Sequence, residues 1–212
     1  MRMPTTRTKK TSKEQAPTLR EYVNAFCDAP LTRKAVMDLS SILAKVVGSQ
    51  LQSELPDVIV EVGHKSFGGS IRRHHLDAFV ANMHLGLQLG VDVKGLNSPS
   101  SVGKNWNNRV GDLHELATNH HQSFPKAVMG GVLAIPYEGL GANILQNIEK
   151  TMLNMSGRRA TTNAHSLFEQ ASLIVISKER RLILPDIPKK GSPLRIEAFA
   201  AAMADVFKRR WQ

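Results

Sequence analysis

Residues 74–94, HHLDAFVANMHLGLQLGVDVK, constrain the fold more than any other part of the chain. Two apolar runs, at about 76–84 and 87–95, surround a short turn, which is the pattern of a β-hairpin. Side chains alternate between the faces of a strand. In the second run Leu87, Leu89, Val91 and Val93 therefore point one way, and Gln88, Gly90, Asp92 and Lys94 point the other. Both runs are too apolar for a solvated sheet edge. The hairpin must lie within a sheet that other elements cover.

The rest of the chain supplies those elements. Residues 18–29 predict a short helix that Pro30 breaks. Residues 31–55 predict a longer one, capped by Thr32, with Val36, Leu39, Leu43, Val46, Val47 and Leu51 at helical spacing. The β-branched run VIVEV at 58–62 predicts a strand, and SFGGSIRR at 66–73 a basic, glycine-rich loop. After the hairpin, NSPSSVGKN at 97–105 reads as a polar loop and 106–121 as a helix. Further strands are expected at 127–135, 172–177 and 180–184. Further helices are expected at 143–155, 164–170 and 195–210. The fold class is α/β, with a mixed central β-sheet flanked by helices. Gly130-Gly131, inside a strand, predicts close packing.

The chain carries a net charge of +10. Among residues 1–14, Arg2, Arg7, Lys9, Lys10 and Lys13 oppose only Glu14. Subtracting that +4 leaves +6 on the remainder, so the excess is not confined to one end. Residues 1–17 have little to bury and are expected to form a disordered basic arm; 18–212 are expected to form one folded domain. A basic body attracts polyanions through counterion release. No apolar run approaches the roughly 18 residues of a membrane span, so no membrane association is expected. Cys27 is the single cysteine and has no internal disulfide partner, which predicts a cytoplasmic setting.

The polar face of the hairpin carries the candidate chemistry. Asp92 and Lys94 stand two residues apart beside the small Gly90, and Asp77 lies on the partner strand. A phosphodiester resists attack because nucleophile and target are both electron-rich, and a divalent metal relieves this. Mg²⁺ takes oxygen ligands and keeps several waters. Asp77, Asp92 and the Val93 carbonyl suit it, and Lys94 can hold the attacking water. An Asp-x-Lys pair is also common on exposed strands, so the partner acid and the basic flanks Arg72, Arg73 and Lys104 give the pattern its weight.

These residues resemble the restriction-endonuclease-like nuclease superfamily and its PD-(D/E)-x-K motif. Asp77 matches the first acid, with Leu76 in place of the usual proline, and Asp92-Val93-Lys94 matches the remainder. SPSSVGKNWNNRVGDLHE, followed by FPKAVMGGVLAIP, is similar to type II restriction enzymes. The likeness covers about residues 31–137. It implies a restriction-endonuclease-like core, Mg²⁺-dependent cleavage of double-stranded DNA, and a homodimer matched to a palindromic site. It also implies a further acidic ligand, for which Glu54 is the first candidate and Glu61 the second. An alternative motif would use Asp57 with Glu61 and Lys65.

Lys104, Asn105, Asn107, Asn108 and Arg109 are expected at a helix N-terminus, where free N–H groups bind phosphate. Arg158, Arg159, Lys178, Arg180 and Arg181 read as basic loops that reach a groove or are simply solvated. A repair or junction nuclease, and an inactive DNA-binding module, are the competing functions.

Overall fold

A computed structural model describes residues 16–212. The expected arm, apart from Ala16 and Pro17, lies outside the described residues. The elements are α1 (Leu19–Asp28), α2 (Arg33–Glu54), β1 (Glu61–Gly68), β2 (Arg73–Asn82), β3 (Gly86–Gly95) and α3 (Pro99–Ser123). They continue with β4 (Val128–Pro136), α4 (Ala142–Asn154), β5 (Gln170–Ser177), β6 (Leu182–Ile183) and α5 (Ile196–Trp211).

The strands form one sheet in chain order, β1 to β6. β1, β2 and β3 are an antiparallel meander; β3, β4 and β5 are parallel; β6 returns antiparallel. The architecture is thus α/β with a mixed sheet flanked by helices. Neighbouring parallel strands need a crossover, and α3 and α4 occupy the two crossovers. Central strands covered on both faces carry unbroken apolar runs; β4 and β5 are buried along their whole length.

Two cores result. Leu89, Val91 and Val93 of β3 pack with α1, α2 and α5. Leu87 of β3 and Met129 and Leu133 of β4 pack with α3 and α4. The paired glycines of β4 serve the close packing their sequence suggested. A Cβ on Gly130 would meet Phe199 at 2.7 Å, and one on Gly131 would meet Phe168 at 2.9 Å. No described helix is long and apolar enough to cross a membrane.

Several boundaries differ from expectation, each for a physical reason. VIVEV is extended only in part as a strand. Val58 and Val60 join the core, but their main-chain groups bond to the Gln52 side chain, and pairing with β2 begins at Glu61. SFGGSIRR is half strand: 66–68 end β1 and Arg73 opens β2, with a tight turn at 69–72 between them. Helix α3 starts at Pro99 rather than Trp106: proline at the first helical position has the right φ and loses no needed donor. The expected helix at 164–170 is absent. Asn163 instead caps a loop by accepting from Arg159 N–H and Ala160 N–H, and Gln170 opens β5.

Arg158 is not a groove-reaching loop residue. It is fully buried and pairs with buried Glu169 at 2.8 Å. Glu169 also accepts from Arg210 at 2.7 Å, from the Met129 N–H at 2.7 Å, and meets His121 Nε2 at 3.1 Å. Burial alone would push the Glu169 carboxyl up; His121, the Met129 N–H and Arg210 outweigh it and hold the carboxyl below its ordinary value.

Candidate active site

The site forms where β2 parts from β3. Their last paired residues on that side are Ala78 and Val91. Beyond that pair the strand ladder no longer serves Val93, whose N–H donates to Asp77 Oδ2 at 2.8 Å. A side-chain carboxylate thus takes the place of a main-chain acceptor. This locks Asp77 beside Asp92, and the two carboxyl groups are in hydrogen-bonding contact. In an extended strand the N–H and C=O of one residue point the same way, so the Val93 carbonyl faces the same side as Asp77.

Asp77 and Asp92 are buried, 5% and 3% exposed. Lys94 Nζ lies 2.8 Å from Asp92 Oδ2. The ion pair is short, but its direction is poor, and Asp92 Oδ2 is left without a well-aimed hydrogen bond. Burial pushes the Asp92 carboxyl up to about 7; Lys94 opposes the rise and Asp77 adds to it. Burial also raises Asp77, against the Val93 hydrogen bond. Two buried carboxylates in contact share protons as a pair rather than one by one.

A cleft of about 640 Å³ opens over these groups. Val36, Met37 and Ser40 of α2 form one wall, and Arg109, Asp112 and Leu116 of α3 form the other. Arg72, Arg73, His74 and His75 extend the floor toward the β1–β2 turn. Arg72 is fixed by Glu115, with Nε 2.7 Å from Oε1 and Nη2 2.8 Å from Oε2. Its Nε also points at His74 Nε2, 3.3 Å away. An N–H donor there requires an unprotonated Nε2, and burial, aided by Arg72, lowers the His74 pKa to match.

Asp77, Asp92, Val93, Lys94, Arg72, Arg73 and Arg109 therefore share one cleft. Glu54 and Glu61 do not join them. Glu54 is exposed at the last turn of α2. It lies 14 residues beyond Ser40, about 21 Å along the helix axis. Glu61 is exposed on the edge strand, 3.9 Å from Lys65, and its Cα pairs with Phe79. Asp57 is exposed in the turn after α2.

Lys104, Asn105, Asn107 and Asn108 also stay outside the cleft lining. Because α3 begins at Pro99, they lie in its second and third turns rather than at its N-terminus. Ser40, Asp112 and Glu115 are site neighbours that sequence reasoning missed. Ser40 was within reach of it, since Val36 and Ser40 lie on one helical face.

The fit of a cation follows from the unbalanced charge. Two buried acids face a single lysine, and one carboxylate oxygen lacks a directed donor. Among the described residues no cluster of three or more His, Cys, Asp or Glu side chains is arranged to hold a metal. The donor set is two carboxylates and a carbonyl, which suits a hard cation that keeps several waters, such as Mg²⁺, better than zinc. Comparison with known protein families, characterised proteins and solved structures gives no match.

Proposed function

We propose that the chain is a Mg²⁺-dependent endonuclease that hydrolyses phosphodiester bonds of double-stranded DNA, in the manner of a type II restriction enzyme with a restriction-endonuclease-like core. The observation that carries this reading is the buried Asp77–Asp92 pair with Lys94 beside it, on the floor of a cleft lined by Arg72, Arg73 and Arg109. A homodimer acting on a palindromic site, in the cytoplasm, completes the proposal.

Asp77, Asp92 and the Val93 carbonyl would hold the ion, which lowers the pKa of a bound water and offsets charge on the phosphate. The protein's own groups supply the rest. Lys94 offers its remaining N–H donors to the attacking water and to a phosphate oxygen. The water oxygen bonds to phosphorus and gives up a proton to solvent, one P–O ester bond breaks, and the displaced oxygen takes up a proton from solvent. Arg72 and Arg73 bind flanking phosphates, and Glu115 keeps Arg72 extended for that contact. Neutral His74 adds no further charge to the floor.

The test is incubation of the purified protein with phage or plasmid DNA and Mg²⁺. Discrete fragments are expected. A smear would reduce the reading to a nonspecific nuclease, and intact DNA across Mg²⁺ and Mn²⁺ would end it.

A further inference from the structure

The turn between β1 and β2 keeps one main-chain hydrogen bond of its own and is otherwise closed by Asn119 of α3. Gly69 N–H donates to Arg72 O at 3.1 Å. In an ordinary two-residue hairpin the N–H of residue 72 would donate back to Gly69 O. Here Arg72 N–H turns to Asn119 Oδ1, at 3.3 Å, and Ile71 N–H donates to the same oxygen at 2.6 Å. Ser70 Oγ also lies 3.3 Å from that oxygen, and it meets the Gln122 side chain. Asn119 Nδ2 donates to Arg72 O at 2.7 Å, and Ser70 N–H donates to the Asn119 carbonyl at 3.3 Å.

Asn119 is fully buried in α3. A Cβ on Gly69 would fall 1.9 Å from Asn119 Nδ2, so only glycine admits the clamp. Two-residue hairpins are normally closed by turns with positive φ. Neither Ser70 nor Ile71 has one, so the asparagine does the work of the missing turn geometry.

The clamp holds Ile71 out in solvent, 67% exposed. A scattered exposed isoleucine is ordinary. This one differs in its support and its place. It sits on a fixed tip, next to Arg72 and Arg73 on the rim of the cleft, where an ordered contact residue loses little entropy on binding.

We infer that Ile71 is a specificity-determining residue that contacts a base edge in the DNA groove to one side of the scissile phosphate. The inference rests on the endonuclease reading. The major groove admits a two-stranded β-ribbon, and the thymine methyl is its apolar feature. Arg73 secures the adjacent backbone. Asp77 follows Ile71 by six residues, at most about 20 Å of extended chain, so the contacted base pair lies within about six base pairs of the cut, at about 3.4 Å per pair.

The experiment is Mg²⁺-dependent cleavage of a randomised duplex library, with the cut ends sequenced, for the full chain and for Ile71→Ser and Gly69→Ala. Ile71→Ser is expected to keep its melting temperature and to lose about tenfold discrimination at one base pair. Gly69→Ala, which expels the clamp, is expected to relax the same position. If the unaltered chain cuts at defined sites and Ile71→Ser gives the same cut-site pattern, this inference is overturned while the endonuclease reading stands. If the unaltered chain does not cut, both fall.

Discussion

Replacing Asp92 by asparagine is expected to abolish cleavage and yet remove a pH-dependent weakness of the metal-free protein. Burial pushes the Asp92 carboxyl up to about 7, whereas the unfolded chain has the ordinary value near 3.9. Between those values the folded state binds more protons than the unfolded state, so stability falls as pH rises. At pH 5 the favourable proton uptake is worth roughly 3 kcal/mol, about two pH units of linkage. At pH 8.5 it is gone. Burial lowers His120 to about 4, which costs stability on the acid side, below pH 6.5. That contribution is common to both proteins and cancels in their difference.

The assay is urea denaturation in chelator at pH 5 and pH 8.5. The stability of Asp92→Asn relative to the unaltered chain should rise by roughly 3 kcal/mol between the two. Any constant offset from losing the Lys94 ion pair drops out. Adding Mg²⁺ at about 100 times its Kd should restore about 2.7 kcal/mol to the unaltered chain at pH 8.5, and much less to the variant. A pH-independent difference between the two proteins would show that Asp92 titrates normally, and would remove the buried-pair argument.

Further outcomes are expected elsewhere. Asp77→Asn should lose cleavage but stay folded, because the amide oxygen can still accept from Val93 N–H. Asp57→Asn should cut normally and change stability by less than about 0.5 kcal/mol; the reverse result in parallel metal titrations would move the site. Lys94→Ala should bind DNA in a gel-shift assay without cutting it, and retained turnover would refute its role. Removing residues 1–14 deletes five cations and should flatten the slope of log affinity against log salt by up to about 4; an unchanged slope would mean they do not meet DNA. Glu169→Ala strands Arg158 beneath the surface and should cost about 3–5 kcal/mol, read as a lower urea midpoint; a midpoint unchanged from the parent would contradict that account.

The sequence revealed most where one strand decides the geometry. Alternation along β3 sets Leu89, Val91 and Val93 against Asp92 and Lys94, and the short turn brings Asp77 within reach; the alternation fails at Leu87, which a register shift beside Val80 and Ala81 turns into the other core. Features that join distant segments were not legible. Asn119 reads as one polar residue in a helix, and its role depends on a turn 47 residues earlier. Arg158 looks like a solvated loop cation until Glu169, 11 residues on, accounts for its burial. Glu54 shares a helical face with Leu43, Val47 and Leu51, but a face does not fix position along the axis, and Ser40 holds the place nearer the cleft. At 97–105, proline, glycine and serine suggested a loop, although proline and serine equally suit a helix start.

Helix α5 has a consequence for the order of synthesis. Phe199, Met203 and Phe207 cover the same sheet face as Leu89 and Val91, yet they follow the Asp77–Lys94 segment by more than a hundred residues. A ribosome that has made every cleft residue still carries a chain with that face partly bare. On the proposed endonuclease reading, this ties cleavage competence to the addition of α5. Nascent chains stalled before residue 196 should be digested readily by protease, and chains extended past 212 by a linker should resist. Equal resistance in both would show that the sheet closes without its last helix.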